Sequence, residues 1–378
     1  MEKYDVLVRG SGCVGRGLAL ALGARGLRVA LLTRPPAPAT PGAAGTSGAS
    51  ADVRAYALNA SSVALLSRLR VWEGLAEDAR TPVHDMRIHG DRAGAELHFS
   101  AWQQGAGELA HIVDAAALED QLDAALRFAP HVQRVTEPVP ATLQALCEGR
   151  DTVAAQEFGV HYERHDYGHL GVATRLTASK PHQGQAWQWF RSPDVLALLP
   201  FDRPEPGHSY GLVWSLPREQ ARRLLAAGPA EFESALLEAT GGAAGTLKLA
   251  GERQAWPLQL CRADTLCGPG WVLLGDAAHL VHPLAGQGLN LGLADVEALV
   301  DVIAARESWR SLGDEKLLRR YARARAAPTW AMGELTDGLL RGFASQVPVI
   351  ARLRNEGLRL VDRAGPLKKW LTARALGH

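Results

Sequence analysis

The stretch GDAAHLVHPLAGQGLNLG, from Gly275 to Gly292, decides the fold of this chain. It follows an apolar run at 271–274 that predicts a strand, and it leads into a run from Leu289 to Ile303 that predicts a helix. Asp276 stands at the end of the strand, and a proline and paired glycines precede the helix. Backbone N–H groups at a helix N-terminus attract negative charge. The stretch therefore predicts a site for an electron-rich, anionic group.

The composition is that of an ordinary globular protein. The chain has 378 residues, 47% hydrophobic and 21% charged, which is enough for two domains. Its net charge of +1 gives no reason to expect a nucleic-acid partner. No segment reaches the about 20 apolar residues that span a bilayer, and no signal-peptide pattern is present. The cysteines show neither metal-ligand spacing nor a disulfide framework, so we expect a cytoplasmic protein with reduced thiols.

The order of predicted elements indicates an α/β fold. Residues 5–10, 14–25 and 28–32 predict a strand, a helix and a strand, which start a parallel sheet. Between about 165 and 255, short aromatic-rich strands predict an antiparallel sheet with one helix near 218–239. The α/β pattern then resumes, and the chain is predicted to be helical from about 314 to its end.

The first turn of this parallel sheet carries a second anion-binding motif, Gly10-Ser-Gly-Cys-Val-Gly15. In a GxGxxG between strand and helix, Gly10 permits the tight turn and Gly12 lets a pyrophosphate approach the backbone. Gly15 lets the helix pack closely on the strand. The motif predicts a dinucleotide site, and the alternative is a glycine-rich turn without a ligand.

The opening stretch offers several side chains for chemistry. Asp276 suits hydrogen bonding to a polyol chain, with a helix N-cap as the alternative. Gly286 and Gly288 expose N–H groups beside the helix, whose dipole favours a negative group such as the N1–C2 carbonyl edge of a reduced flavin. His279 and His282 form either a metal pair, an acid/base pair or packing contacts. Because no set of Cys, Asp or Glu ligands lies near them, we favour packing and predict no metal site.

The motifs together resemble the FAD-dependent aromatic-ring hydroxylases of the para-hydroxybenzoate hydroxylase type. The broad match consists of the glycine loop, Asp52-x-Arg54 with Ala57-Leu58, Gly275-Asp276, and His282-Pro-x-x-Gly-Gln-Gly-x-Asn290. A narrower match, to the ubiquinone-biosynthesis hydroxylases, consists of Ala186-x-x-x-Phe190, Leu198-Leu-Pro200, Val213-Trp-Ser215, Thr336 to Leu340, Phe343, Arg354 to Leu358 and Pro366-Leu-Lys368. The resemblance covers nearly the whole chain and is most specific from Trp256 onward.

The resemblance implies a Rossmann-like FAD-binding domain with a parallel sheet, an inserted antiparallel β-sheet substrate domain, and a helical C-terminus. The implied boundaries are 1–80, 111–164 and 256–334 for the discontinuous FAD-binding domain, 81–110 and 165–255 for the substrate domain, and 335–378 for the C-terminal helical segment.

The implied activity is that of a flavin-dependent monooxygenase. NADH or NADPH reduces FAD, O2 gives a flavin C4a-hydroperoxide, and OH passes to the ring of a polyprenylated phenol in ubiquinone biosynthesis. The cofactor carries the chemistry, while the protein supplies position and a dry pocket. No side-chain nucleophile is required.

The resemblance also implies roles for residues. Arg54 is expected near the cofactor phosphates or the isoalloxazine, Asp276 on the ribityl chain, and Pro283 against the flavin ring. The residues expected to position the flavin ring are Pro283, Gly286 and Gln287. The expected cofactor contacts are Gly10, Gly12, Cys13, Val14, Gly15, Arg54, Gly275, Asp276, Ala285, Gly286, Gln287, Gly288, Leu289 and Asn290.

Some positions depart from the family pattern. The family's Asp-Gly motif, followed by Ser and Arg, aligns with Glu148-Gly149, Thr152 and Ala155, so the arginine is lost and the acid is longer. The acid that usually ends the second strand and binds the ribose is Thr33. Two alternatives therefore stay open. One is a catalytically weakened, flavoprotein-like scaffold subunit of a ubiquinone-synthesis complex, and the other is a hydroxylase of a soluble aromatic compound.

The substrate side is less legible. Trp187, Trp189, Phe190 and Trp214 either line an apolar pocket for a prenylated ring or form sheet core, and we favour core for most of them. The C-terminal segment combines Trp370 with a basic set: Arg352, Arg354, Arg359, Arg363, Lys368, Lys369 and Arg374. Such a helix either lies on the inner, anionic face of a membrane or presents a solvated surface.

Overall fold

The computed structural model describes residues 4–33, 52–90, 96–149, 153–280 and 287–344. In chain order the strands are β1 (Tyr4–Arg9), β2 (Val29–Leu32), β3 (Ala55–Leu58), β4 (Arg80–Val83), β5 (Asp85–His89), β6 (Glu96–Ser100), β7 (Ala110–Asp114), β8 (Val132–Val135), β9 (Ala141–Leu146), β10 (Tyr162–Ala178), β11 (Gln185–Arg191), β12 (Asp194–Phe201), β13 (Ser209–Pro217), β14 (Leu247–Leu249), β15 (Gln254–Ala263), β16 (Cys267–Gly268), β17 (Trp271–Leu273) and β18 (His279–Leu280). The helices are α1 (Cys13–Gly23), α2 (Ala60–Arg68), α3 (Ala101–Gln104), α4 (Ala115–Arg127), α5 (Val153–Glu157), α6 (Arg218–Ala226), α7 (Pro229–Thr240), α8 (Gln287–Ala304) and α9 (Glu315–Ala344).

A parallel sheet forms the first layer, in the order β16-β17-β9-β1-β2-β8. All of its pairs are parallel except the antiparallel pair of β16 and β17. The carboxyl ends of β1, β9 and β17 therefore lie side by side at one edge of the sheet. The loops that follow these strands carry Gly10, Glu148 and Gly275, and this edge is where such sheets bind ligands. The α/β fold predicted from the sequence is confirmed.

Helices pack on this sheet through a common apolar core. Contacts link α1 to α4 and α8, and α8 to α9. Leu18 and Leu22 of α1, Leu122 of α4 and Val296 of α8 are fully buried in this core together with Val6 of β1. Burial of such side chains contributes roughly 1.5–3 kcal/mol each, so the packing holds the loops at the sheet edge in place.

A second, mostly antiparallel sheet follows the order β18-β15-β10-β13-β12-β11-β5-β6, with β14 paired to β10. One of its faces carries large side chains that pack with α6 and α7, namely Trp189, Leu196, Tyr210 and Trp214. The prediction of one helix near 218–239 is wrong, because two helices cover this face. Gly228 caps α7 and Pro229 starts it, and proline at a first helical position ends any continuation from α6.

A small antiparallel sheet of β3, β7 and β4 contacts β12 of the second sheet and also α8. The second sheet extends across the positions 164/165 and 255/256, because β10 and β15 run through them. The proposed domain boundaries stay a prediction. No helix within the described ranges is both long and apolar enough to cross a bilayer.

Candidate functional site

A cavity of about 660 Å³ is lined by residues of the second sheet and the small sheet and by the loops that follow β1, β9 and β17 of the parallel sheet. At one end its wall is formed by the loop after β1, the turn after β17 and the start of α8. At the other end its wall is the face of the second sheet that α6 and α7 do not cover. The cavity therefore joins the sheet edge that carries the glycine motifs to a sheet face that is mostly apolar.

The glycine loop forms the first end of the cavity. Gly12 is the N-cap of α1. The first turn of this helix has neither a side-chain cap nor an acidic residue. Gly10 has φ +114°, and a Cβ there would lie 2.3 Å from the carbonyl oxygen of Cys147. A Cβ on Gly15 would lie 1.9 Å from the carbonyl oxygen of Gly10, whereas one on Gly12 would meet nothing within 4 Å. Packing thus requires glycine at positions 10 and 15. Gly12 borders open space beside uncapped N–H groups, and this arrangement suits an approaching anion.

The thiol beside these N–H groups is not a reactive group. Cys13 is buried at the start of α1, and burial raises the pKa of its thiol to about 12, with Glu119 adding to the effect. A thiol with this pKa stays protonated at neutral pH, so Cys13 contributes shape and not nucleophilic chemistry.

The turn after β17 presents Asp276 to the cavity. Gly275 has φ +62°, a conformation that favours glycine. A Cβ on Gly288 would lie 3.8 Å from Oδ1 of Asp276, so α8 begins beside this carboxylate. Close approach of the two segments depends on Gly292, where a Cβ would lie 2.5 Å from Cγ2 of Val14 and 3.3 Å from the Cα of Gly275. Gly275, Gly288 and Gly292 thus allow the carboxylate of Asp276 to lie beside the N-terminus of α8.

A buried ionic network holds this turn. Asp295 of α8, which is 0% exposed, accepts hydrogen bonds from Nε2 of His279 at 2.7 Å and from the backbone N–H of Gly275 at 2.8 Å. Its other oxygen accepts a hydrogen bond from Nε of Arg325 at 2.6 Å, and Arg325 also donates to the carbonyl of Leu291. Burial alone would raise the pKa of Asp295, but His279, Arg325 and the Gly275 N–H outweigh it and hold the pKa below its ordinary value.

This network assigns a role to His279, one of the two histidines of the opening stretch. His279 binds the carboxylate of Asp295, which is a positioning role. Within the ranges that the structure describes, no group of three or more His, Cys, Asp or Glu side chains is arranged to hold a metal ion. His282 lies outside the described residues.

Arg54 lines the cavity and is held by acids on two segments. Its Nη2 lies 2.6 Å from Oδ2 of Asp52 and 3.1 Å from Oε1 of Glu119. The hydrogen bonds to Asp52 are the main reason why the pKa of Arg54 is raised. The carbonyl of Arg54 accepts a hydrogen bond from Nη2 of Arg175 at 2.7 Å. The position of Arg54 therefore depends on β10 as well as on its own strand.

Arg175 ties the second sheet to the small one. It lies opposite Gly211 in the pairing of β10 with β13, and its guanidinium lies 3.9 Å from the ring centroid of Phe201. It also forms an ion pair of 3.2 Å with Asp114, the N-cap of α4. Burial lowers the pKa of Arg175, and Asp114 works against this. The buried guanidinium of Arg175 therefore holds the start of β3, which follows Arg54, against β10 of the second sheet.

Asn290 has a side-chain role that its sequence motif did not reveal. Its Nδ2 donates to the carbonyl of Ala57 at 2.7 Å, and its Oδ1 accepts from the N–H of Asn59 at 3.0 Å and from Oγ of Ser62 at 2.7 Å. The amide therefore fastens the start of α8 to β3 and α2.

Glu148 and Thr33, which depart from the family pattern, have different surroundings in the structure. The hydroxyl of Thr33 donates to the carbonyl of Val135 at 3.3 Å. Glu148 lines the cavity beside the glycine loop, and its Oε1 lies 3.5 Å from Nε of Arg9. Its Oε2 is buried and has no hydrogen-bond partner among the described residues. A carboxylate with one unused oxygen thus faces the cofactor end of the cavity.

The arginine beside Glu148 comes from β1. Arg9 is the last residue of that strand, and it also pairs with Glu157 at 2.8 Å. Ala155, where the family motif has its arginine, is 0% exposed and packs in a core cluster with Leu146 and Trp271. Sequence reasoning missed the pair of Arg9 with Glu148 because the two residues lie far apart in the chain.

The far end of the cavity is shaped by small residues. On the cavity side of β10–β13 these are Gly171, Ala173, Ala186, Ala197 and Gly211. Larger apolar residues complete the walls, namely Met86, Phe99, Leu109, Ile112, Leu199, Val213 and Trp256. Alternation of small and large residues along these strands is the sequence signal that could have found this chamber, because successive side chains point to opposite faces.

The aromatic residues singled out in the sequence divide between the two roles. Trp187 lines the cavity and also packs at the edge of the core beneath the sheet. Trp189 and Trp214 are buried in that core, and Phe190 packs with Val195 in a separate cluster. The expectation that most of them form core is confirmed.

A profile of the family described as FAD binding domain matches residues 115–336 of the chain. The chain belongs to this family. It is 30% identical over 412 aligned residues to the 3-demethoxyubiquinol 3-hydroxylase of Escherichia coli, covering 100% of this chain and 99% of that protein. It is 29% identical over 395 residues to the ubiquinone hydroxylase UbiL of Rhodospirillum rubrum, covering 99% of this chain and 89% of that protein. The resemblance to the ubiquinone-biosynthesis hydroxylases is thus confirmed.

The fold also matches a solved structure. The crystal structure of p-nitrophenol 4-monooxygenase PnpA from Pseudomonas putida superposes with a TM-score of 0.74 at 17% identity, covering 100% of this chain and 99% of that chain. At this identity the likeness shows the shared fold alone.

The residues at the glycine end fit the cofactor of the FAD-binding domain family. The uncapped start of α1 and the open space at Gly12 suit a pyrophosphate, and Asp276 suits a polyol hydroxyl. Of the predicted cofactor contacts, the following line the cavity: Gly10, Gly12, Cys13, Val14, Arg54, Asp276, Gly288 and Leu289. Gly15, Gly275 and Asn290 are outside this lining and make packing contacts and hydrogen bonds around the cavity. All of these cofactor contacts stay predictions.

The remaining predicted positions cannot be placed in the same way. Pro283, Ala285 and Gly286 lie outside the described residues. Gln287 starts α8, and its side chain is not among those described. The flavin-positioning role assigned to Pro283, Gly286 and Gln287 stays a prediction, as does the role of the basic C-terminal segment beyond residue 344.

Proposed function

We propose that the protein is an FAD-dependent monooxygenase that hydroxylates the aromatic ring of a polyprenylated phenol in ubiquinone biosynthesis. The observation that carries this proposal is the continuity of one cavity. Its first end has the glycine loop and the helix starts that favour a phosphorylated cofactor, and its second end is an apolar chamber. A ring held in that chamber lies in the same enclosed space as the cofactor, which direct transfer of oxygen requires.

The glycine end supplies the means to hold FAD. Bound FAD supplies the redox chemistry with O2, and the protein binds, orients and excludes water. The N–H groups at the start of α1 would hold the pyrophosphate, and Asp276 would accept a hydrogen bond from a hydroxyl of the ribityl chain. The start of α8, with Gly288 and Leu289 in the cavity wall, offers N–H groups to the electron-rich edge of the ring system. Asp295 keeps the Gly275 turn in register with this helix.

The apolar end supports a prenylated substrate. Met86, Phe99, Leu199, Val213 and Trp256 offer a surface that desolvates a hydrocarbon chain and a ring. Two relatives of this chain are named as hydroxylases of ubiquinone or of a demethoxyubiquinol. A substrate of this class combines an oxygenated ring with a long apolar chain, which matches the character of the chamber.

Electron supply and surroundings complete the proposal. We infer NADH or NADPH as the electron donor, because the reaction consumes two electrons beyond those of the substrate. We also infer that the basic C-terminal segment with Trp370 contacts the anionic face of a membrane, where a polyprenylated substrate resides. Co-sedimentation with anionic liposomes tests this contact, because the Lys368→Glu/Lys369→Glu variant should pellet less than the wild type. Equal pelleting would rule out the contact.

The deciding experiment is reconstitution. Purified protein is loaded with FAD and supplied with NADH or NADPH, a short-chain prenylated phenol and 18O2, and the product is analysed by mass spectrometry. We expect a flavin spectrum, donor oxidation that the phenol stimulates, and one 18O atom in the product. Asp276→Ala should weaken FAD binding and product formation together, whereas Glu297→Gln, on the outer face of α8, should leave both unchanged.

The same experiment separates the alternatives. Protein that binds no FAD, but whose deletion still lowers the ubiquinone content of cells, would favour a scaffold subunit. The departures from the family pattern at Thr33, Glu148 and Ala155 keep this alternative open. Product formed from a soluble aromatic but not from a prenylated phenol would favour a hydroxylase of soluble compounds. The proposed hydroxylase function is wrong if the purified protein binds no flavin and its deletion leaves the ubiquinone intermediates of the cells unchanged.

A further inference from the structure

The cavity is too small to enclose a whole substrate of the class proposed above together with the cofactor. Its volume is about 660 Å³, and the glycine end with Asp276 takes a share of this space. A pocket of about 300–1,000 Å³ encloses a molecule of drug size. The remaining space therefore holds a ring and the first units of a polyprenyl chain. The rest of the hydrocarbon chain needs an exit, and the way to that exit should be apolar.

The second sheet gives the hydrocarbon chain a direction. Trp256 of β15 and Leu280 of β18 line the cavity at the first strands of the sheet order, close to the turn that carries Asp276. Met86 of β5 and Phe99 of β6 line it at the last strands of the sheet among the described residues. Neighbouring strands lie about 4.8 Å apart, so β15 and β6 are separated by roughly 30 Å along the sheet. A ring that lies beside the cofactor therefore has room for its hydrocarbon chain toward β5 and β6.

An apolar row crosses the strands in that direction. Ala186 of β11 pairs with Met86, and Met86 pairs with Phe99. Paired residues of neighbouring strands face the same side of a sheet, and all three of these residues line the cavity. Leu199 of β12 belongs to the same apolar cluster as Ala186 and Met86. Leu109, which precedes β7 of the small sheet, belongs to this cluster too and lines the cavity from the other side.

Packing between the sheets explains only part of this cluster. Val83, Ile112 and Phe201 are at most 3% exposed and form its core. Met86 and Leu109 pack against that core, but they stay partly accessible and line the cavity. Their cavity-facing surface is thus apolar and open to a ligand. Covering such a surface with hydrocarbon is favourable, because it removes apolar area from water.

An exposed tryptophan lies near the end of this row. β6 continues directly into α3, and Trp102 of this helix is 90% exposed. The N–H of Ala101, the first residue of α3, donates to the carbonyl of His84 at 2.8 Å. The N–H of Leu109 donates to the carbonyl of Val83 at 2.7 Å. Both ends of this loop are therefore fixed beside the row, and Trp102 presents its ring outside the cavity lining.

We propose that the hydrocarbon chain of the substrate runs along Ala186, Met86 and Phe99 and leaves the cavity beside Trp102. This inference rests on the proposed function and goes further, because it assigns the path of the hydrocarbon chain and its exit. The first prenyl units are enclosed between Met86 and Leu109, and later units contact Trp102 at the surface. Affinity along this path comes from the removal of hydrocarbon from water, so it grows with the length of the prenyl chain.

The test measures how much affinity each part of the prenyl chain adds. The ligands are a phenol without a prenyl chain and the same phenol with one, two or three prenyl units. Dissociation constants are measured from the change in the absorbance of FAD bound to the protein, a signal that reports the position of the ring. We expect two prenyl units to tighten binding to the wild type at least about tenfold, because burial of each CH2 group is favourable. The gain is calculated as a ratio within each protein, so a general weakening of binding cancels.

Two polar replacements test the enclosed part of the path. Met86→Gln and Leu109→Asn nearly preserve side-chain size and lie on opposite walls, so one of them remains if the other folds poorly. Each should reduce the gain from two prenyl units to about threefold or less, because the amide loses its hydrogen bonds to water when hydrocarbon covers it. Leu237→Gln is the matched control, since it makes the same kind of change at a position of α7 that is 49% exposed. It should keep the gain of the wild type.

A second pair of variants tests the exit. Trp102→Ser should keep the gain from the first two prenyl units and lose the gain from the third, because only later units reach the surface beside α3. Trp330→Ser is its control, since it removes another exposed tryptophan, on α9. This control should keep the gain from all three units.

The outcomes separate this inference from the proposed function. A gain of wild-type size in both Met86→Gln and Leu109→Asn would overturn the inference alone, and so would an unaltered gain from the third unit in Trp102→Ser. Wild-type protein that binds FAD but none of the phenols would overturn the proposed substrate and the inference with it. Loss of the gain in the wall variants, and of the third unit's share in Trp102→Ser, with both controls unaltered, supports the inference.

Discussion

The carboxylate of Asp295, in the middle of α8, accepts the backbone N–H of Gly275 at 2.8 Å. This single bond connects the helix to the turn that presents Asp276 to the cavity. The same oxygen binds His279, and the other oxygen binds Arg325 of α9. A buried charge is tolerated here because every side of it is met by a donor. The geometry of the cofactor end therefore depends on a group that does not itself line the cavity.

Removing the charge of Asp295 should destabilise the protein strongly. Asp295→Asn leaves Arg325 and His279 in a buried site without their carboxylate, and breaking such a pair costs about 3–5 kcal/mol. The free energy of unfolding in urea measures this. The matched control is Glu297→Gln, two residues along the same helix. Glu297 pairs with the exposed Arg68, and a pair of this kind contributes about 0–1 kcal/mol. A similar loss in both variants would contradict the assigned role of the network.

The contribution of Asp295 should disappear in acid. The pKa of its carboxyl is lowered in the folded state, so folding favours the ionised form. A carboxyl of this kind stabilises the protein fully above its ordinary pKa of about 4, and its contribution is lost as the pH falls from there through the lowered folded value. The stability difference between wild type and Asp295→Asn should be constant from pH 7 to about 5 and should shrink below about 4. A difference that shrinks near pH 6 would point to another group.

The glycines of the first loop should respond oppositely to alanine. Gly12→Ala adds a methyl group that meets nothing within 4 Å, so the apoprotein should keep its stability. FAD affinity should fall at least tenfold, because the added group occupies the space that a pyrophosphate needs. Isothermal titration with FAD measures the affinity, and an unchanged value would argue against this loop as the phosphate site.

Gly15→Ala should instead strongly lower the stability of the folded protein. Its Cβ would lie 1.9 Å from the carbonyl oxygen of Gly10, which is part of the backbone and cannot move cheaply. Gly17→Ala is the control on the same helix, since its Cβ would meet only Cδ2 of Leu293 at an ordinary 3.7 Å. Thermal unfolding should show a normal transition for Gly17→Ala and a strongly lowered one for Gly15→Ala. Equal midpoints would contradict the packing argument.

Asn290 should matter for stability more than for direct contact with the cofactor. Asn290→Ala removes hydrogen bonds to Ala57, Asn59 and Ser62 and should cost about 2–4 kcal/mol. Ser62→Ala removes one of these bonds and should cost about 1 kcal/mol. Urea unfolding of the two variants gives the comparison. If Asn290→Ala unfolds like the wild type but loses FAD, its side chain contacts the cofactor and not β3 and α2.

The order of elements was predictable because it rests on local patterns. The glycine loop after β1 and the apolar run into α8 have periodicities and spacings that only strand–turn–helix units satisfy. The break between α6 and α7 was missed although Gly228-Pro229 marks it, because the apolar spacing continues across the break. The two glycine motifs, Gly10 to Gly15 and Gly275 to Gly292, could be found from the sequence because each lies within one short segment.

The partners that complete the site could not be found in this way. Asp295 looks like any acid on a helix until His279, Gly275 and Arg325 are seen around it. The same holds for the pair of Arg9, at the end of β1, with Glu148, in the loop after the neighbouring strand β9, because the two lie far apart in the chain.

By itself, the sequence determined the fold class, the family and the two glycine motifs, because backbone conformation and helix starts depend on neighbouring residues. The tertiary structure alone decided which side chains meet: the buried network beside Asp276, the pair of Arg9 with Glu148, and the small residues that line the apolar chamber. Such contacts depend on which strands become neighbours, and long-range packing sets that order, which no local pattern records.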